Sequence, residues 1–147
     1  MKIGIANDHR GYKLKNYLKE NLENLGYTVV DYGTNSTDSV DYPDFAFKLG
    51  EEVVSKKVNF GVAICGSGIG ISIACNKVFG VRCAKVSNKE EAKYTREDND
   101  ANIIALGEAT SDEEALEIVK TFIETPFSNL EKHVRRIDKI MKYEENR

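Results

Sequence analysis

Cys65-Gly-Ser-Gly-Ile-Gly70 carries more chemistry per residue than any other segment of this chain. It leaves an apolar run, Phe60-Gly-Val-Ala-Ile64, and leads into Ile71-Ser-Ile-Ala-Cys-Asn76. Glycines at such a junction let backbone N–H groups close around an anion, and a following helix adds the positive end of its dipole. A thiol beside those donors is expected to have a lowered pKa, and a thiolate can take a proton from carbon. The same residues also fit a plain tight turn with a buried thiol at its edge, and the loop alone does not choose between the two. Gly66, Gly68 and Gly70 alternate, so the loop is neither the Gly-x-Gly-x-x-Gly dinucleotide fingerprint nor a Walker loop. A Cys-dependent phosphatase would need an arginine to close its cradle, and residues 65–71 hold none. Cys75 and Cys83 fall on a predicted helix and a predicted strand and are assigned to packing.

Three further groups combine chemistry with an ordinary alternative. Asp8-His9 follows the first apolar run; Asp can accept from hydroxyls and His can donate to a phosphate or sugar oxygen, or the pair is a helix cap and a surface imidazole. Asp98-Asn99-Asp100 precedes the last strand-like run and also reads as turn chemistry. Lys132, Arg136 and Lys139 form a basic stripe beside an apolar helix face, a solvated surface or a source of cations for phosphate.

The elements that must position these residues alternate along the chain. Lys2–Ala6, Thr28–Tyr32, Phe60–Ile64, Val81–Val86 and Asn102–Leu106 read as strands. Between them lie helix-period segments: Leu14, Leu18, Leu22 and Leu25 closed by Gly26, then a helix opened by Pro43. Asn88 with Glu91, Ser111 with Glu114 and Ser128 with Glu131 look like capping boxes. Leu130, Val134, Ile137 and Met141 mark the apolar face of an extra C-terminal helix. Alternating strands and helices imply parallel strands with crossovers, so the fold class is α/β: a three-layer, doubly wound, Rossmann-like sandwich with a five-stranded parallel sheet, expected in the order 2-1-3-4-5. That order reverses direction between strands 1 and 3, where ligands bind beyond the carboxyl ends. The loops there are Asn7–Gly11 and Cys65–Gly70, and Gly33–Asp41 is the longest polar loop.

The 147 residues make a single domain, 1–147, large enough for a core without disulfides or metal. A net charge of −3 offers no field for nucleic acid or an anionic membrane, and no apolar run has transmembrane length. Three unpaired cysteines and two histidines point to reduced thiols, a cytoplasmic setting and no zinc site.

Read in order, Asp8-His9, Gly33-Thr34, Asp41-Tyr42-Pro43, the block from Ile64 through Cys65 and Ala74 to Asn76-Lys77, and Asn99-Asp-x-Asn102 closely resemble the type B ribose-5-phosphate isomerases and the related galactose-6-phosphate isomerase subunits. The resemblance runs from residue 2 to about residue 142. It implies a metal-free, cofactor-free aldose–ketose isomerisation of a sugar phosphate through a cis-enediolate. Cys65 would be the base, Ser67 would steady the enediolate oxygens or relay a proton, and Asp98 would stand at the ring-opening position. Gly66, Gly68, Ile69 and Gly70 would form the substrate loop. Asp8, His9, Tyr42 and Asn99 would hold hydroxyls, and Lys132 and Arg136 would meet the phosphate. The resemblance also implies a homodimer or homotetramer with a shared active site. Three positions depart from the family pattern: Asp98 stands for a histidine, and Ala109 and Lys132 stand for arginines. The Cys65 loop with Asp8-His9 makes ribose 5-phosphate the leading substrate, and the three departures weigh against it. Galactose 6-phosphate, allose 6-phosphate and a non-catalytic phosphosugar-binding subunit are the alternatives.

Overall fold

The computed structural model describes residues 1–146, and its elements follow the apolar periodicity. The strands are β1 (Lys2–Asn7), β2 (Thr28–Asp31), β3 (Phe60–Cys65), β4 (Cys83–Lys85) and β5 (Ile103–Gly107). The helices are α1 (Tyr12–Asn24), α2 (Tyr42–Val54), α3 (Ile69–Cys75), α4 (Lys89–Asn99), α5 (Asp112–Glu124) and α6 (Glu131–Glu145). One 3-10 turn, His9–Gly11, joins β1 to α1.

Two of the three expected caps form. Asn88 Oδ1 accepts the Glu91 N–H at 2.8 Å, and Ser111 Oγ accepts the Glu114 N–H at 3.3 Å. The Glu91 carboxylate returns to the Ser87 amide, at 2.7 Å, rather than to Asn88. Ser128 and Glu131 do not form a capping box. The Ser128 hydroxyl donates to the Glu97 carbonyl at 2.7 Å, tying the entry of α6 to α4, and Leu130 occupies the cap position without a side-chain bond.

All pairings are parallel, and the strand order is β2-β1-β3-β5-β4. The expected order had the last two strands exchanged. Burial explains the correction. All five residues of β5 are buried, as an interior strand covered on both faces requires. By contrast β4 has three residues, none fully buried, ending in the exposed Lys85. Short, charge-bearing strands belong at a sheet edge. The sheet still reverses direction between β1 and β3, so the switch point stands where the sequence places it.

Strand residues alternate between two cores. Ile3, Ile5, Val62, Ile64, Ile104 and Leu106 pack with Leu18, Leu22, Ile118 and Phe122 of α1 and α5. Ala6, Ala63, Cys65, Ile103 and Ala105 pack with Leu49, Val53, Ile71 and Cys75 of α2 and α3. Helix α6 contributes no fully buried residue to either. Its apolar face carries exposed Val134 and Ile140, with Ile137 and Met141 only partly covered.

One buried cation anchors the segment after β2. Lys15, fully buried, donates to Asp31 Oδ2 at 2.8 Å, the Thr34 carbonyl at 2.8 Å and Asn35 Oδ1 at 3.1 Å. Lys15→Met would leave the Asp31 carboxylate without its cation and is expected to lower unfolding free energy by about 3 kcal/mol, read by urea denaturation. A change under about 0.5 kcal/mol would mean that the pair behaves like an exposed one.

Candidate active site

The turns leaving β1, β3 and β5 are laced together by backbone bonds. The Asp8 amide donates to the Ile64 carbonyl at 3.1 Å, and the Glu108 amide to the Cys65 and Gly66 carbonyls, each at 3.1 Å. Above them opens a cleft of about 600 Å³ lined by Asp8, His9, Arg10, Tyr42, Cys65, Gly66, Ser67 and Gly70. This is the switch point of the sheet.

Cys65 ends β3, is 4% exposed, and is one of the residues that line the cleft. The Gly68 amide donates to its sulfur at 3.2 Å. Gly68 has φ of 78°, and a Cβ there would lie 2.8 Å from the Leu106 carbonyl carbon. Only glycine gives both the left-handed turn and this approach to β5. Gly68 thus lies beneath the loop, while Gly66, Ser67 and Gly70 line the cleft. Ser67 Oγ accepts the Ile69 amide at 3.1 Å, which leaves its O–H to donate elsewhere. The Ile69 side chain is exposed and does not line the cleft. Tyr42 opens α2 with its ring against Gly70, where a Cβ would meet the ring's Cζ at 2.7 Å.

Asp8 both caps and lines the cleft. Its Oδ1 accepts from the Arg10 amide at 2.9 Å and the Gly11 amide at 3.2 Å, which locks the carboxylate in place. His9 Nδ1 accepts the Val40 amide at 3.2 Å. That bond requires a bare Nδ1, so the ring proton sits on Nε2 and can be donated. Sequence reasoning missed Val40, because a backbone amide leaves no residue-type signal. It also left Arg10 and Glu108 without a role. Arg10 Nε donates to Glu108 Oε1 at 2.8 Å, and its terminal NH2 reaches the same oxygen.

The remaining expected residues lie elsewhere in the protomer. Cys65 pairs with Gly107 at the carboxyl end of β5, whereas Asp98 and Asn99 end α4, just before the amino end of that strand. Asp98 Oδ1 meets His133 Nε2 at 3.3 Å. Asn99 Oδ1 accepts from Thr95 Oγ1 at 3.2 Å, and the residue lines a separate cavity of about 420 Å³ with Arg82, Cys83 and Tyr143. Lys132 and Arg136 are exposed on α6. The expected site therefore divides into two groups at opposite ends of one sheet. Cys75 and Cys83 sit in packing positions, and the hydrogen bond that Cys83 makes to Cys75, together with burial, pushes the Cys83 thiol well up. Among the described residues, no group of three or more His, Cys, Asp or Glu is placed to hold a metal ion, and no helix is long and apolar enough to cross a membrane.

A parallel sheet carrying a thiol, an acid–imidazole pair and glycine amides at its switch point defines an α/β enzyme for a small polar substrate. The comparisons narrow that class. The family model described as ribose/galactose isomerase matches residues 3–140. Ribose-5-phosphate isomerase B of Clostridium thermocellum superposes with a TM-score of 0.96 at 47% identity, covering 99% of each chain. The Mycoplasma genitalium ribose-5-phosphate isomerase B, solved with bound ribulose-5-phosphate, gives 0.93 at 39% identity, covering 99% of this chain and 97% of that one. Ribose-5-phosphate isomerase B of Mycobacterium leprae (strain TN) is 38% identical over 146 residues, 98% of this chain and 90% of that protein. The chain belongs to the ribose/galactose isomerase family. It is an enzyme, an aldose–ketose isomerase of the ribose-5-phosphate isomerase type.

The two glycines separate structure from substrate handling. Gly68→Ala forces a methyl onto the β5 backbone at positive φ and is expected to lower stability by at least about 2 kcal/mol. Gly70→Ala meets only the exposed Tyr42 ring, so stability should fall by less than about 1 kcal/mol while kcat/KM drops as the ring is displaced. Equal destabilisation by both, in thermal melts, would contradict this division.

Proposed function

We propose that the chain interconverts ribose 5-phosphate and ribulose 5-phosphate with Cys65 as the base. The observation that carries this reading is that Cys65, though 4% exposed, lines a cleft with Asp8, His9, Tyr42 and the glycine loop. The thiolate removes the proton from C2 of the open-chain aldose. The electron pair of that C–H bond forms the C1–C2 double bond, and the carbonyl electrons move onto O1 to give a cis-enediolate. Amides of the glycine loop steady the developing charge, a type of contact worth about 3 kcal/mol per donor in other enzymes. Ser67, with its O–H uncommitted by the Ile69 bond, carries a proton between O2 and O1. The thiol then returns its proton to C1, and O2 becomes the ketose carbonyl. Asp8 accepts from sugar hydroxyls, and the His9 Nε2 proton goes to a hydroxyl or phosphate oxygen.

The Asp98 group belongs, in this reading, to the cleft of a second protomer. An amphipathic α6 with no buried residue, together with exposed Ile69, Ile73, Phe79 and Tyr94, supports a homodimer. Docked there, Asn99 reaches hydroxyls, Lys132 and Arg136 meet phosphate, and the Asp98–His133 pair moves the proton that opens the furanose ring.

Two measurements test these roles. Cys65→Ser should lose at least about 100-fold in kcat, because a hydroxyl is a far weaker base, while circular dichroism and melting temperature stay near wild type. Retained turnover would remove Cys65 as the base, and unfolding would make the thiol structural. Co-refolding Cys65→Ser with Arg136→Ala should recover about a quarter of wild-type activity, since half the dimers are hybrids with one intact site of two. No recovery above either parent would place Arg136 outside the partner's cleft.

A further inference from the structure

We propose that Arg10 binds the substrate's phosphate and that the Glu108 carboxylate occupies Arg10 until substrate displaces it. The inference rests on the isomerase reading above. A sugar phosphate brings a dianion into the cleft, and among the described residues Arg10 is the one lining residue with a permanent positive charge. The resemblance implies an arginine at position 109, where this chain has alanine directly after Glu108. Arg10 presents a guanidinium at that same rim from the neighbouring loop.

Its placement is specific. The guanidinium lies against the loop beside the reacting thiol, with Cζ 3.4 Å from where a Cβ on Gly66 would stand. Two of its nitrogens converge on a single oxygen, Glu108 Oε1. Glu108 is itself hinged on the active-site turn through its amide bonds to the Cys65 and Gly66 carbonyls. Arg10 holds the Glu108 carboxyl below its usual range, so both partners are charged at neutral pH.

The pair is poised to exchange. The Arg10 and Glu108 side chains are 57% and 34% exposed, and ion pairs in such settings contribute little. A phosphate dianion offers more charge and two oxygens to the guanidinium fork, so it replaces the carboxylate at small cost. His9, adjacent in sequence, can donate its Nε2 proton to the same phosphate. Glu108 then acts as a selectivity element, because a neutral sugar cannot displace it from Arg10.

Kinetics on ribose 5-phosphate separate this exchange from a merely structural brace, because the two partners' variants should act in opposite directions. Arg10→Gln should raise KM by about tenfold with kcat within about threefold of wild type, and Arg10→Lys should fall between, having lost the fork but kept the charge. Glu108→Gln should lower KM by about two- to fivefold, because it removes the competing anion. Inhibition by inorganic phosphate should weaken in Arg10→Gln and strengthen in Glu108→Gln. If both variants raise KM alike, or phosphate inhibition is unchanged in Arg10→Gln, the proposal is overturned. Calorimetric titration of inorganic phosphate keeps the test independent of turnover. Should the wild type process no sugar phosphate, the isomerase reading fails. Loss of phosphate binding in Arg10→Gln would still support the Arg10 assignment, and retention would end it.

Discussion

The amide of Gly68, 3.2 Å from the Cys65 sulfur, is the contact on which the site's geometry depends. It exists because the chain leaves β3, turns through a left-handed residue and lies back on β5 with no room for a side chain. That turn sets the direction of α3, leaves Gly66, Ser67 and Gly70 lining the cleft, and gives Tyr42 a flat glycine to rest on. The amide's positive end meets the sulfur where charge would reside in a thiolate. A sheet packed on both faces holds this arrangement rigid, as a proton transfer at carbon requires.

A second constraint is the direction of the sheet. Parallel strands send every exit loop to one end, so Asp8, Cys65 and Glu108 share a rim. The same geometry sends Asp98 and Asn99 to the other end. No motion within one protomer short of unfolding would bring the two ends together. The division between these two groups thus follows from strand direction, and the exposed apolar face of α6 from a last helix that finds no place in its own core.

The fold was legible where burial writes on sequence. Apolar runs located all five strands, and Gly26 with φ of 97° closed α1 as expected. The exchange of β4 and β5 was written there too: Arg82 and Lys85 flank or occupy one run, whereas Ile103–Gly107 is free of charge. The expected order simply followed chain sequence instead of weighing that difference. Ser128 misled because its hydroxyl had a tertiary partner, the Glu97 carbonyl, that no local pattern reveals. In the site, Cys65, Asp8 and His9 were legible from their types beside a switch point. Val40 was invisible as a backbone donor. Arg10 and Glu108 lie 98 residues apart and acquire meaning only when β1 and β5 are placed on either side of β3.

The central claim is that one of three thiols is presented to substrate for proton transfer. Treatment with iodoacetamide, followed by peptide mass spectrometry and activity assay, tests it most directly. Cys75 is fully enclosed at 0% exposure, against 4% for Cys65 in the cleft lining, and the Cys83 thiol is pushed well up by its neighbour and by burial, so neither should react early. The account predicts that label appears first on Cys65, that activity falls in proportion to it, and that ribose 5-phosphate slows both. Label on Cys83 first, or full activity with Cys65 alkylated, would contradict it.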